Sequence, residues 1–399
     1  MATGDEQHMR RVPAGGRLKL GFVGGGRGGL VGDWHASGAR LSNRWDIVAG
    51  ALSSDPDRAA LSAQDWAIAQ DRSYADWQEM ARAEAARADG IDAVVVCTPN
   101  HTHHAIAAGF LDAGIDVICD KPMTNSIDEA EDLLTRQRDS GLALLLTYPY
   151  VHHAMVRQAR AMVAAGEIGA LRQVRIEYLQ DGSMRAAGPG DKGQLWRRDP
   201  ATAGRSSTVA DIGTHAYHML HHVTGREVDA LRADFHTCGA PQALEDTAFV
   251  SLRLSGGVPV LMHISQAAPG QSCGFRFHIW GTTGGLSWDQ EYPEDLHHAP
   301  LDGPERILRR GQGAGIGPEA ARLVHLPRGH GEALTDAWAN LYSALAIAIG
   351  QRRAGQTPDL AALGLSGPDE GLQGVRFVHA CADSHARGGA WTDLGSAAT

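Results

Sequence analysis

The chain has 399 residues, with 36 Lys+Arg against 46 Asp+Glu and a formal charge of -10, and at roughly 150 residues per domain it accommodates two or three domains. That acidic balance excludes broad binding to the phosphate backbone of nucleic acid, which needs clustered Lys and Arg. Five scattered cysteines (Cys97, Cys119, Cys238, Cys273, Cys381) form no CxxC pair, which excludes a zinc ribbon and fits reduced thiols in a cytoplasmic protein.

The N-terminus is polar and Gly-rich and has no apolar core for a signal peptide or a membrane span; residues 1–17 are expected to be a flexible tail. From residue 18 to 148 short apolar runs alternate with helical segments. The runs are Leu18–Val23, Ile47–Leu52, Asp92–Thr98, Asp116–Cys119 and Leu142–Thr147. Several are apolar on both faces, as strands between two helix layers must be. This alternation predicts an α/β fold with a doubly wound parallel sheet over residues 18–148. After residue 149 the rhythm changes to a helix near residues 155–165, a His-rich helix at 212–223, and a series of strands between 174 and 280. Gly-containing turns at Ser255-Gly256-Gly257 and at Thr282–Gly285 join two pairs of these strands as hairpins. Residues 149–399 are therefore expected to form an α+β domain on a large, mostly antiparallel sheet, with an irregular stretch at 289–329 and two final helices.

Ligands of open α/β sheets bind beyond the carboxyl ends of the strands. After the first strand stands Gly24-Gly25-Gly26-Arg27-Gly28-Gly29, a GxGxxG match at Gly24, Gly26 and Gly29. The glycines allow a tight turn, and the following helix offers its N-terminal amides to a pyrophosphate. This predicts a nicotinamide dinucleotide site. After the second strand, where a carboxylate would bond both ribose hydroxyls of NAD, the chain has Ser53-Ser54-Asp55-Pro56-Asp57-Arg58. Ser53 would not repel a 2′-phosphate, and Arg58 could pair with it, so the cofactor is NAD or NADP with a lean to NADP. The alternatives are that Ser53 caps a helix, that Arg58 is a solvated charge, or that Asp55 reaches the ribose.

Beyond the strand at 92–98 comes Thr98-Pro99-Asn100-His101-Thr102-His103-His104. Thr98, Pro99, Asn100 and His103 are cofactor-binding candidates, and Asn100 and Thr102 are equally plausible helix caps. The histidines there lack the partners of a metal site, as do His218 and His222, so no metal is expected. Beyond the strand at 116–119 stands Asp120-Lys121-Pro122, where the Lys121 ammonium could stabilise a substrate alkoxide. In Asp211-Ile212-Gly213-Thr214-His215 a carboxylate and an imidazole stand at i and i+4, one helical face, and His215 suits the removal of a hydroxyl proton.

Together these pieces resemble the glucose–fructose oxidoreductase/inositol dehydrogenase/MocA family of nicotinamide-dependent oxidoreductases. The resemblance runs from Leu18 to about Trp391 and includes the Gly166-Glu167-Ile168-Gly169 turn. It implies a Rossmann domain followed by a domain whose open sheet makes dimer or tetramer contacts. It also implies oxidation or reduction at a secondary alcohol of a sugar, glycoside or inositol. By the same resemblance Lys121, Asp211 and His215 are the catalytic residues; Asp120 and Lys121 also reach the cofactor, and Trp196, Arg197 and His330 line the substrate pocket. Two departures are Asp120, where glutamate is usual, and Tyr148-Pro149-Tyr150, where many members carry arginine. The same scaffold also serves NAD-dependent redox glycosidases, which keep these residues, and non-catalytic sugar-sensing repressors, which need not keep an acid/base pair. Neither nucleic acid nor membrane is expected as a partner.

Overall fold

The computed structural model describes residues 12–13, 15–188, 192–313 and 315–394. Five strands, β1 (Leu18–Gly24), β2 (Trp45–Ala51), β3 (Ala93–Cys97), β4 (Asp116–Cys119) and β5 (Leu144–Leu146), pair in parallel in the order β2-β1-β3-β4-β5. Their apolar runs are buried on both faces: Val94, Val95, Val96, Val117 and Ile118 are all fully buried. The helices Leu30–Ser42, His103–Asp112 and Ile127–Ser140 are among the crossovers that provide the covering layers. Ser126 caps the last of these by accepting from the Glu129 amide, and Gly141 ends it in the left-handed region, so local sequence sets both of its limits. The doubly wound sheet expected from the alternation is present. Its strand order reverses between β1 and β3, and the crevice for a ligand opens beside such a reversal.

Nine further strands form a second sheet: β6 (Leu171–Leu179), β7 (Val228–His236), β8 (Thr247–Leu254), β9 (Val258–Ser265), β10 (Gly274–Gly281), β11 (Gly284–Asp289), β12 (Asp295–Pro300), β13 (Arg306–Arg309) and β14 (Thr392–Asp393). Their order is β13-β12-β11-β10-β6-β9-β8-β7-β14, and every pairing is antiparallel except β6 with β9. Both predicted hairpins occur; in the β8–β9 turn Gly256 and Gly257 take φ of 84° and 79°, as a two-residue primed turn requires. The stretch 289–329, expected to be irregular, instead carries β12 and β13. The register aligns Leu296 with Leu308 and His298 with Arg306, and alternate burial of Leu296 and His298 supplies the period-two signal that Gly and Pro in the flanking turns obscure.

Among the described residues two compact units emerge: 12–149 with Thr335–Val375, and Tyr150–Leu334 with 376–394. The segment 149–399, expected as one domain, is thus divided. The helix Leu334–Arg353 returns to the first unit because it buries Trp338 and Tyr342 against His35 and Trp45, while Arg352 and Arg353 pair with Asp116 and Asp92 at 2.6 and 2.7 Å. Of the expected tail, residues 1–11 and 14 lie outside the described residues, and Arg17 pairs with Asp46. Among the described residues no helix is long and apolar enough to cross a membrane.

Candidate active site

In the first unit the glycine loop leaves β1 at Gly24, whose φ of 83° suits glycine and where a Cβ would lie 2.7 Å from Thr98 Cγ2. Further on, a Cβ at Gly32 would meet the Gly25 oxygen at 2.1 Å, so helix and loop pack backbone to backbone. Gly29 precedes the helix and brings no side-chain cap, leaving the first amides to a ligand. A positively polarised helix start behind a loop of five glycines and Arg27 is a cradle that fits a pyrophosphate. Gly26 donates to Leu52 O at 3.2 Å, and the Arg27 amide donates to Ser62 Oγ at 2.9 Å. The Arg27 guanidinium pairs with Asp65, which offsets its charge. Gly28 faces open space.

Past β2, Ser53 Oγ accepts from the Asp55 amide at 3.1 Å. Asp55 in turn caps the helix Pro56–Asp65 by accepting from the Arg58 amide at 3.0 Å. Of the two acidic residues beside the β2 end, Asp55 is thereby engaged as a cap. Ser54 is exposed and Arg58 partly so, and among the described residues the Arg58 guanidinium has no ion pair.

Beyond β3, Thr102 does not cap a helix; its hydroxyl bonds Thr98 Oγ1 at 2.7 Å and Pro99 O at 2.8 Å. Asn100 is buried in the short turn between them. His103 is buried with both ring nitrogens 2.9 Å from carbonyl oxygens, Nδ1 from Pro122 and Nε2 from Thr98. It therefore ties the turn after β3 to the turn after β4. Burial holds its pKa below the ordinary histidine value, against the opposite pull of Asp120 and those carbonyls. His104 pairs with Asp132 at 2.8 Å and His101 is exposed. Among the described residues no cluster suits a metal.

Asp120 follows β4, with Oδ1 accepting from the Lys121 amide and from the Thr147 hydroxyl, each at 2.8 Å. Burial alone would raise its carboxyl, but His35, Lys121 and His103 hold it far below the usual range, so it is an anion at neutral pH. Lys121 is half-buried beside it and precedes Pro122.

In the second unit the segment before the His-rich helix hangs on one buried carboxylate. Glu245 accepts from Ser206 Oγ at 2.6 Å and from the amides of Ser207, Thr208 and Val209 at 3.2, 2.9 and 3.1 Å. A π-helical turn, Val209–Gly213, follows and passes directly into the helix Thr214–Thr224. Such turns occur often at functional sites because the extra residue re-aims its neighbours. Asp211 Oδ2 accepts from Gln266 Nε2 at 2.9 Å and lies 3.4 Å from Arg197 Nε, while Arg197 stacks over Trp196. His215 is half-buried, with its Nδ1 inside. Its ring meets Tyr150 edge to face at 5.0 Å and lies 6.2 Å from Tyr178. The two tyrosine hydroxyls bond one another at 2.5 Å, and burial pushes both phenols up. His218 and His222 are buried on the same helix, where desolvation holds them well below the ordinary histidine value. His330 is exposed.

The sequence singled out Asp211 and His215 but not Glu245, Gln266, Tyr150 or Tyr178. No local motif marks those four; only Tyr150, inside the departing Tyr148-Pro149-Tyr150 stretch, carried a signal.

Comparison with known proteins adds to this geometry. A family described as "Oxidoreductase family, NAD-binding Rossmann fold" matches residues 18–148, and "GFO/IDH/MocA C-terminal domain" matches residues 156–287. The chain is 32% identical over 385 residues to the uncharacterized oxidoreductase YfiI of Bacillus subtilis, covering 94% of this chain and 97% of the relative. It is 25% identical over 312 residues to levoglucosan dehydrogenase of Pseudarthrobacter phenanthrenivorans, covering 71% and 76%. Among solved structures, an inositol dehydrogenase homolog from Azotobacter vinelandii, complexed with NADH and myo-inositol, aligns with a TM-score of 0.87 at 32% identity over 97% of this chain and 99% of that one.

Proposed function

The chain belongs to the GFO/IDH/MocA oxidoreductase family, and we propose that it transfers hydride between NAD(P) and a secondary hydroxyl, or the matching ketone, of a sugar, glycoside or inositol. The observation that carries this reading is the joint presence of Lys121 behind a tethered Asp120 and of Asp211 and His215 on consecutive turns of a braced helix start. The bound nicotinamide supplies the hydride chemistry. His215 takes the hydroxyl proton on Nε2, the ring nitrogen opposite the buried Nδ1. The Lys121 ammonium bonds the same oxygen as it gains charge. Asp211, held by Gln266 and Arg197, orients a neighbouring substrate hydroxyl, and Trp196, Arg197 and His330 belong to the substrate side. The glycine loop with Arg27, Ser53, Ser54, Arg58 and the Thr98–His103 turn takes the cofactor. Two observations support NADP over NAD: the engagement of Asp55 as a cap and the neutralisation of Arg27 by Asp65 while Arg58 keeps its charge.

The enzyme acts in the cytoplasm, a reading supported by its five free thiols, and assembles as a dimer or tetramer through the open face of the second sheet. On that face Phe249, Leu261 and Trp280 are 45%, 50% and 38% exposed, although Phe275, Phe277 and Ile279 of the same sheet are buried. The test is turnover of Lys121→Ala and His215→Ala. Each should fold, bind cofactor and lose about a hundred-fold or more in kcat; near-normal rates in both would end the assignment.

A further inference from the structure

His35, in the helix behind the glycine loop, is fully buried and enters the account so far only through its effect on the Asp120 carboxyl. Its ring is fixed on two sides. Trp338 packs on it at 4.6 Å, and Nδ1 lies 2.7 Å from the hydroxyl of Tyr342, itself fully buried. The Trp45 indole anchors the Tyr342 backbone by donating to its oxygen at 2.8 Å. Nε2 faces Asp120 Oδ2 at 3.9 Å, about 1 Å beyond a hydrogen bond, and among the described residues makes no other bond.

We infer that Tyr342 and His35 form a positioning relay that orients the Asp120–Lys121 turn, an inference that rests on the catalytic reading of Lys121. Hydrogen placement follows from the geometry. Among the described residues the Tyr342 hydroxyl has no acceptor other than His35 Nδ1, so it donates there. The imidazole then carries its hydrogen on Nε2, directed at Asp120 Oδ2. The other oxygen, Oδ1, already receives the Thr147 hydroxyl and the Lys121 amide. The carboxylate thus has two hydrogen-bond donors on Oδ1 and an N–H dipole facing Oδ2, and one of the donors is the backbone of the reactive lysine itself. In a dry interior the attraction of an N–H dipole to a carboxylate persists at this separation. A helix from residues 334–353 thereby bears on a residue more than two hundred positions earlier in the chain.

The relay is tested by two readouts. The first needs no substrate: in protein labelled with 15N-histidine, the His35 signals, identified by their loss in His35→Gln, should show a protonated Nε2 and an unprotonated Nδ1 that shifts in Tyr342→Phe. A protonated Nδ1 overturns the relay. The second is turnover, with myo-inositol as the probe. His35→Leu keeps the packing volume but deletes the donor, and should lose roughly ten-fold in kcat with little change in the KM for cofactor. In His35→Gln the amide N–H takes the place of Nε2–H and should restore kcat to within about three-fold. Equal rates for the Leu and Gln variants overturn the inference. Should His35→Leu fail to fold, Tyr342→Phe, which removes one oxygen, reads the same chain, and an unchanged kcat there counts against it. Lys121→Ala is assayed alongside. If it is active the catalytic reading fails; if it is inactive while the His35 variants are indifferent, only the relay fails.

Discussion

On the proposed reading, a single charge at Ser53 or Arg58 sets which dinucleotide is preferred. A carboxylate at position 53 would repel a 2′-phosphate and bond the two ribose hydroxyls, so Ser53→Asp should move preference towards NAD and raise the KM for NADP by roughly ten-fold or more. Arg58→Ala should weaken NADP and leave NAD nearly untouched; equal loss with both cofactors would place Arg58 outside the ribose site. A second residue-scale prediction concerns acid. The folded-state pKa of Asp120 is depressed by His35, Lys121 and His103 against the effect of burial. A depressed carboxyl contributes stability above its unfolded value of about 3.9 and loses it as pH falls through and below that value. Asp120→Asn should therefore flatten the decline of Tm between roughly pH 5 and pH 2, and parallel Tm curves for the two proteins would contradict the assignment. At this scale the sequence was partly readable. The glycine loop, Lys121 and His215 stand in recognisable local order, whereas the use of Asp55 as a helix cap and of Thr102 as a partner of Thr98 depends on backbone geometry that spacing does not reveal.

The second unit shows how one buried carboxylate sets an element. Glu245 satisfies three amides and a hydroxyl at the entrance to the π-helical turn that carries Asp211. Burial raises its pKa and those bonds lower it, with a net rise. Glu245→Ala should cost about 3 kcal/mol of stability, because several buried donors lose their acceptor together, and it should also lower kcat by misplacing Asp211. Urea unfolding combined with steady-state rates measures both, and a loss of stability without any loss of rate would detach Glu245 from the site. The His-rich helix was legible over residues 212–223, against Thr214–Thr224 observed, but the π turn was not. Its cause is the bracing of residues 206–209 by a residue far along the chain, and no local pattern encodes such a pairing. The β12–β13 hairpin was missed for a different reason: its strands are short and stand among turn-forming glycines and prolines.

Across the molecule, the two sheets were legible as classes, one parallel and one mostly antiparallel, because side-chain period and burial follow from sequence alone. The return of residues 335–375 to the first unit was not, since a helix buried all round its middle does not name the surfaces it will meet; Trp338 and Tyr342 meet His35 and Trp45 only in three dimensions. The open face of the nine-stranded sheet sets Phe249 beside His263 and Leu261 beside Arg175, a mixed apolar and charged surface suited to a second copy of the chain. Leu261→Arg should lower the mass measured by light scattering, and an unchanged mass would move the interface elsewhere.

The central claim, hydride transfer to or from a secondary carbinol, is tested most directly by following reduced-nicotinamide absorbance when the protein is mixed with NAD or NADP and a panel of inositols, aldoses, anhydro sugars and glycosides. A steady rise with one substrate class, abolished in His215→Ala, is the result expected. Cofactor binding with neither reduction nor any turnover would contradict it, and glycoside cleavage without net reduction would replace net dehydrogenation by the redox-glycosidase reaction.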